Sequence, residues 1–76
     1  MTLYDYVIKH GSVNLIDSFV LAGKQLDHPM NDQESMELMR SICRSSKYSL
    51  IPTTLTISIY DECLSILSVY FSYVKE

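Results

Sequence analysis

The sequence predicts an all-α fold, with three to four helices in a small hairpin or bundle. Two observations carry that expectation. From Thr53 to Lys75 the apolar residues recur at helical spacing: Ile59, Cys63, Ile66, Tyr70 and Tyr73 at steps of 4, 3, 4 and 3, with Tyr60, Leu64, Leu67, Phe71 and Val74 repeating those steps one residue later. Upstream, three residues suited to helix caps, Thr2, Ser12 and Asn31, each precede an apolar-periodic run. Breaks fall between the runs, at Gly11 and at Asp27-His28-Pro29-Met30.

The first helix is expected at about 3–10. Leu3, Tyr6 and Val7 line one face, Asp5 stands three positions after Thr2, and Gly11 is placed to end the helix in a left-handed cap. The second, about 13–26, carries Leu15, Ile16, Phe19, Val20, Gly23 and Leu26 on its inner stripe. The third, about 32–45, opens on Asn31 and Glu34 in capping-box spacing, turns Met36, Leu38, Met39, Ile42 and Cys43 inward, and sets Glu37 within reach of Arg40. The fourth, about 53–74, contains the ambiguous piece. Thr54 to Tyr60 alternates polar with apolar and is rich in β-branched residues, which is strand-like. A lone strand lacks a partner, Pro52 fits at or just before a first helical turn, and Leu55 continues the stripe to Ile59, so helix is favoured.

Seventy-six residues make one domain, 1–76, of marginal stability, a size at which association is a common remedy. The net charge of −3 gives no basic field and disfavours nucleic acid as the dominant partner. Cys43 and Cys63 form no C-x-x-C pair and read as free thiols in a reducing cytoplasm. The apolar run Cys63 to Val74 is too short to span a bilayer, and no signal peptide is expected. The sequence has no phosphate loop, no metal-ligand spacing and no nucleophile with a nearby base, so neither catalytic nor cofactor-binding nor metal-binding residues are expected, and no enzyme. Asp61 and Glu62 read as a solvated face. Arg40, Arg44 and Lys47 form a candidate anion or nucleic-acid patch.

Three sets of residues carry a resemblance to a known family. Leu3, Tyr6 and Gly11, then Ser18, Val20 and Leu21, then Leu55, Ile59, Leu64, Ile66, Leu67 and Tyr70 resemble the small biofilm and acid-resistance regulators of the YmgB/AriR type and their two-component-system connector relatives. The chain departs from that pattern at Arg44-Ser45-Ser46-Lys47-Tyr48, at Pro29 and at Pro52. The resemblance implies an all-α homodimer and a non-enzymatic role in biofilm and acid or stress responses, exerted through a bacterial response regulator. The aromatic-rich end of the last helix is the expected interface, with Ile59, Cys63, Ile66, Tyr70 and Tyr73 as its residues. The alternatives are a DNA-binding regulator using the basic patch, or a phage- or plasmid-encoded inhibitor or chaperone of a host protein.

Overall fold

Each helix begins where the chain supplies an oxygen for the free amide groups of its first turn. Thr2 Oγ1 accepts from the Asp5 N–H at 3.1 Å and opens α1, Leu3–His10. Ser12 Oγ accepts from the Leu15 N–H and opens α2, Val13–Lys24. Asn31 and Glu34 complete a reciprocal capping box, at 2.9 and 3.1 Å, at the start of α3, Asp32–Lys47. At the fourth start, Thr53 and Thr56 cap each other: Thr53 Oγ1 accepts from the Thr56 N–H at 3.2 Å, and Thr56 Oγ1 accepts from the Thr53 N–H at 2.9 Å. This pair resolves the strand-like stretch 54–60 into the first turns of α4, Thr54–Lys75. The computed structural model describes residues 2–51 and 53–75, apart from the side chain of Lys75, and no strand occurs among them. The expected place of Pro52 at the helix start therefore lies outside the described residues.

The helix ends differ from expectation in three places. The last turn of α2 tightens through bonds from the Gln25 and Leu26 amides to the Ala22 and Gly23 carbonyls, so α2 stops two residues before Leu26. Helix α3 runs two residues beyond Ser45, to Lys47. Gly11 is extended (φ −76°, ψ 161°) rather than left-handed. Its reason is close approach: the Gly11 N–H meets the Val7 carbonyl at 2.7 Å, and a Cβ built at Gly11 would lie 2.7 Å from that same oxygen. Gly23 has no such constraint, since its nearest neighbour, the Tyr4 ring, would sit 3.8 Å from an added Cβ.

The core forms where the inner stripes meet. Leu3 and Val7 of α1, Leu15 and Phe19 of α2, Met39 of α3, and Cys63, Ile66 and Tyr70 of α4 are buried together. Met36, Leu38, Ile42 and Cys43 pack at its edge, half-buried. Ser35 is also buried, and among the described residues its Oγ has no partner. Helix α4 packs mainly on α3, α1 touches the other three helices, and α2 leans chiefly on α1. The molecule measures 34 × 31 × 18 Å, and the shortest dimension is about two helix diameters.

Two carboxylates, one from α3 and one from α4, hold the first two helices. Asp32, in the first turn of α3, accepts the Leu3 N–H on Oδ1 at 2.8 Å and the Tyr70 hydroxyl on Oδ2 at 3.0 Å, tying α1, α3 and α4 at one point. Glu62, from the middle of α4, accepts the Ser12 N–H at 2.6 Å, at the N-cap of α2. Glu62 is thus half-buried and bonded rather than part of a solvated face, unlike its exposed neighbour Asp61.

Candidate functional site

The surface of α4 carries the most unusual chemistry of the fold, and it divides lengthwise. One line of side chains turns inward. Cys63, Ile66 and Tyr70 are buried against the other helices, and Ile59 packs at the edge of the same core. These residues were expected to face a partner; the chain itself covers them. Burial pushes the Cys63 thiol up to about 12, and burial followed by the Asp32 contact raises Tyr70. The line emerges only at its ends, where Leu55 and Tyr73 are exposed. The cause is length: 22 residues of α4 span about 33 Å and outreach the 16 residues of α3, which span about 24 Å.

A second line faces outward. Ile57, Tyr60, Leu64, Leu67, Phe71 and Val74 follow at steps of 3, 4, 3, 4 and 3. Ile57, Leu64, Phe71 and Val74 are exposed, and Tyr60 and Leu67 are half-buried. No ionisable carboxylate or cation belongs to this line. The α3–α4 connector adds Tyr48, Leu50 and Ile51, all exposed, with Leu50 98% open to solvent. The spacing of Tyr60 to Val74 was legible in the sequence; Ile57, three residues before Tyr60, extends it by one position. What the sequence did not show was which of two adjacent lines the bundle would cover.

The basic residues share one exposed face. Arg40, Arg44 and Lys47 follow at i, i+4 and i+7 on α3. Among the described residues no carboxylate lies within 4.0 Å of either guanidinium. The expected Arg40–Glu37 pair does not form; Glu37 instead accepts from the Gln33 amide at 3.2 Å. Lys47 Nζ stands 5.5 Å from the ring centre of Tyr48.

The histidines and thiols do not converge. His10 stacks beside Tyr6 with ring centres 4.5 Å apart, while His28 lies at the other break, bonded to the Pro29 carbonyl and 3.4 Å from Glu34. Among the described residues no three of His, Cys, Asp and Glu come together in a way that holds a metal ion. Among the described residues no helix is long and apolar enough to cross a membrane. Two open grooves of about 460 and 480 Å³ flank the C-terminal half of α2; Tyr4, Gly23 and Lys24 line one, and Ala22, Leu26 and Glu37 the other.

Comparisons with family models, with curated proteins and with solved structures give no match. The chain's own surface therefore carries the functional argument, and the outward line of α4 is its most specific feature.

Proposed function

We propose that this chain is a small, non-enzymatic regulatory adaptor that acts by protein–protein contact. One observation supports the reading above all: the outward line of α4, six apolar positions without a charge, four of them exposed along a helix already held by the bundle. A contiguous apolar surface of this kind marks interaction sites on small soluble domains. The resemblance to the YmgB/AriR-type regulators supplies the process, control of biofilm formation and of acid or stress responses in the bacterial cytoplasm. It also supplies the class of external partner, a response regulator.

Affinity capture with the tagged chain and its Leu64→Glu variant tests the reading. Leu64 is exposed, so the variant keeps the fold. The expected result is a regulatory protein recovered with the native chain and lost with the variant. Equal recovery by both, or none by either, removes the reading.

A second reading rests on the shared face of Arg40, Arg44 and Lys47. If that face binds nucleic acid, log affinity falls against log salt with a slope of about −3 for three phosphate contacts, and Arg40→Ala with Arg44→Ala abolishes most of the slope. Binding that ignores both salt and the substitutions excludes it.

A further inference from the structure

We infer that the corner between α3 and α4 seats the protein on an anionic lipid bilayer: Arg40, Arg44 and Lys47 meet the headgroups, and Tyr48, Leu50 and Ile51 enter the interface. The site is separate from the outward line of α4 on which the adaptor reading rests. It gives the basic face of α3 a ligand other than nucleic acid.

Charge segregation is the first argument. From Leu38 to Tyr60 the chain carries three cations and no carboxylate, although its net charge is −3. Every Asp and Glu lies before Leu38 or after Tyr60. Arg40, Arg44 and Lys47 are exposed on one face of α3, and among the described residues neither guanidinium has a carboxylate within 4.0 Å. Each Lys or Arg held near an anionic leaflet strengthens binding about fivefold, so three supply roughly a hundredfold. The carboxylates elsewhere are repelled by the same surface and turn the rest of the molecule away from it.

The apolar tip is the second argument. Helix α3 ends at Lys47, and directly after it Tyr48 is 70%, Leu50 98% and Ile51 78% exposed. Single exposed apolar side chains need no explanation, but three within four residues of one tip, beside the cations, form a patch. Tyrosine suits a bilayer interface, where its ring is covered and its hydroxyl stays wet. Lys47 Nζ, 5.5 Å from the Tyr48 ring centre, joins the basic and apolar parts of the site. Nucleic acid takes up cations and aromatic rings, and it has no use for the aliphatic chains of Leu50 and Ile51. An anionic bilayer uses all of them.

The third argument is the backbone. A segment that enters lipid must bring its hydrogen bonds with it. The Ser49 hydroxyl donates to the Ile51 carbonyl at 3.2 Å, inside the tip. On one side the Tyr48 N–H donates to the Arg44 carbonyl at 3.0 Å, and on the other Thr53 and Thr56 satisfy each other's amides. Both helix ends that flank the tip are thus closed, which lowers the cost of a shallow seat. Such a seat reaches about 5–10 Å into the boundary between headgroups and acyl chains and is not a span.

Sedimentation of the full chain with vesicles is the test, using phosphatidylcholine alone and phosphatidylcholine mixed with phosphatidylglycerol. The native chain is expected to partition onto the anionic vesicles at least about tenfold more strongly than onto the neutral ones, and to be released as salt rises. Arg40→Gln with Arg44→Gln is expected to weaken that partition at least about tenfold, and Leu50→Ser with Ile51→Ser at least about fivefold. Helix content is expected to hold in both, because all four residues are exposed. Leu64→Asn, on the outward line, is expected to bind the vesicles as the native chain does. Should the serine variant lose its fold, Leu50→Trp reads the tip directly: its emission is expected to move to the blue on anionic vesicles and to be quenched by brominated lipid. No partition onto anionic vesicles, equal partition onto both kinds, or an emission that does not move overturns the inference. Loss of binding in Leu64→Asn overturns it as well, since the contact then belongs to the outward line. So does an oligonucleotide bound more tightly than the anionic vesicles at the same salt, with Leu50→Ser and Ile51→Ser without effect; the basic face is then a nucleic-acid site. Each of these failures except the loss in Leu64→Asn leaves capture through Leu64 untouched, and a failed capture leaves the vesicle result untouched.

Discussion

Gly11, Gly23, Ser35 and Cys63 each have an atomic surrounding that fixes what a substitution does. An added methyl at Gly11 would sit 2.7 Å from the Val7 carbonyl, so Gly11→Ala must displace backbone and is expected to lower stability by about 1–3 kcal/mol. Gly23→Ala meets only the Tyr4 ring at 3.8 Å and gains helix propensity, so it is expected to raise stability by up to about 1 kcal/mol. Urea midpoints of the two variants, moving in opposite directions, check both. The Ser35 hydroxyl is buried without a partner among the described residues, so Ser35→Ala removes an unmet polar group and is expected to be neutral or stabilising. The Cys63 thiol, raised from 9.0 to about 12, favours its protonated form when folded. Its contribution to stability is complete below about pH 9 and is lost as pH rises toward 12; Tyr70, raised above 10.0, adds a loss of the same sign at higher pH. Urea midpoints measured upward from pH 8 are expected to fall through this window, and less steeply in Cys63→Ala. In the same native protein an aromatic disulfide reagent at pH 8 is expected to leave Cys63 unreacted until unfolding.

At the level of the helices, local chemistry was legible and long-range chemistry was not. Thr2, Ser12 and Asn31 announced three starts because an N-cap acts on an amide two or three residues away. The strand-like pattern of 54–60 was decided by Thr53 and Thr56, whose reciprocal bonds are also local, though a Thr–Thr pair is a weaker signal than the Asn31–Glu34 box. Asp32 and Glu62 could not be read this way. Their partners Leu3, Tyr70 and Ser12 lie 29, 38 and 50 residues away, and nothing in a sequence window marks them. Sequence spacing likewise gave α4 two adjacent apolar lines, and most of the line expected to face a partner, Ile59 to Tyr70, is the one the chain itself covers, because period fixes which residues share a line and not which line a neighbour covers. Glu62→Ala is expected to cost about 1 kcal/mol globally. It should cost more locally, since α2 otherwise leans chiefly on α1. Amide exchange in Val13–Lys24 is therefore expected to accelerate before that of α3 in this variant; uniform acceleration would show that the bond is not what holds α2.

For the whole molecule, the bundle is thin and α4 overhangs it. A slab 18 Å thick covers one long side of its longest helix and leaves the other to solvent. Stability and association would then be linked: should the outward line of α4 pair with a second copy, the urea midpoint rises with protein concentration, and that of Leu64→Glu with Phe71→Glu does not. A midpoint constant over a hundredfold range of concentration would mark a self-sufficient monomer.

The long-range bonds of Asp32 and Glu62 also set an order of events during synthesis. Ser12 leaves the ribosome 50 residues ahead of Glu62, which at about 5–20 residues per second is a delay of roughly 3–10 s. During that interval α2 has its own cap but not the Glu62 oxygen that holds it, whereas the Asp32 oxygen that holds α1 follows Leu3 by 29 residues. A nascent chain arrested before Asp32 is therefore expected to remain protease-sensitive throughout, and protection should arrive in one step once α4 has emerged. The first two helices of this protein wait for the last two.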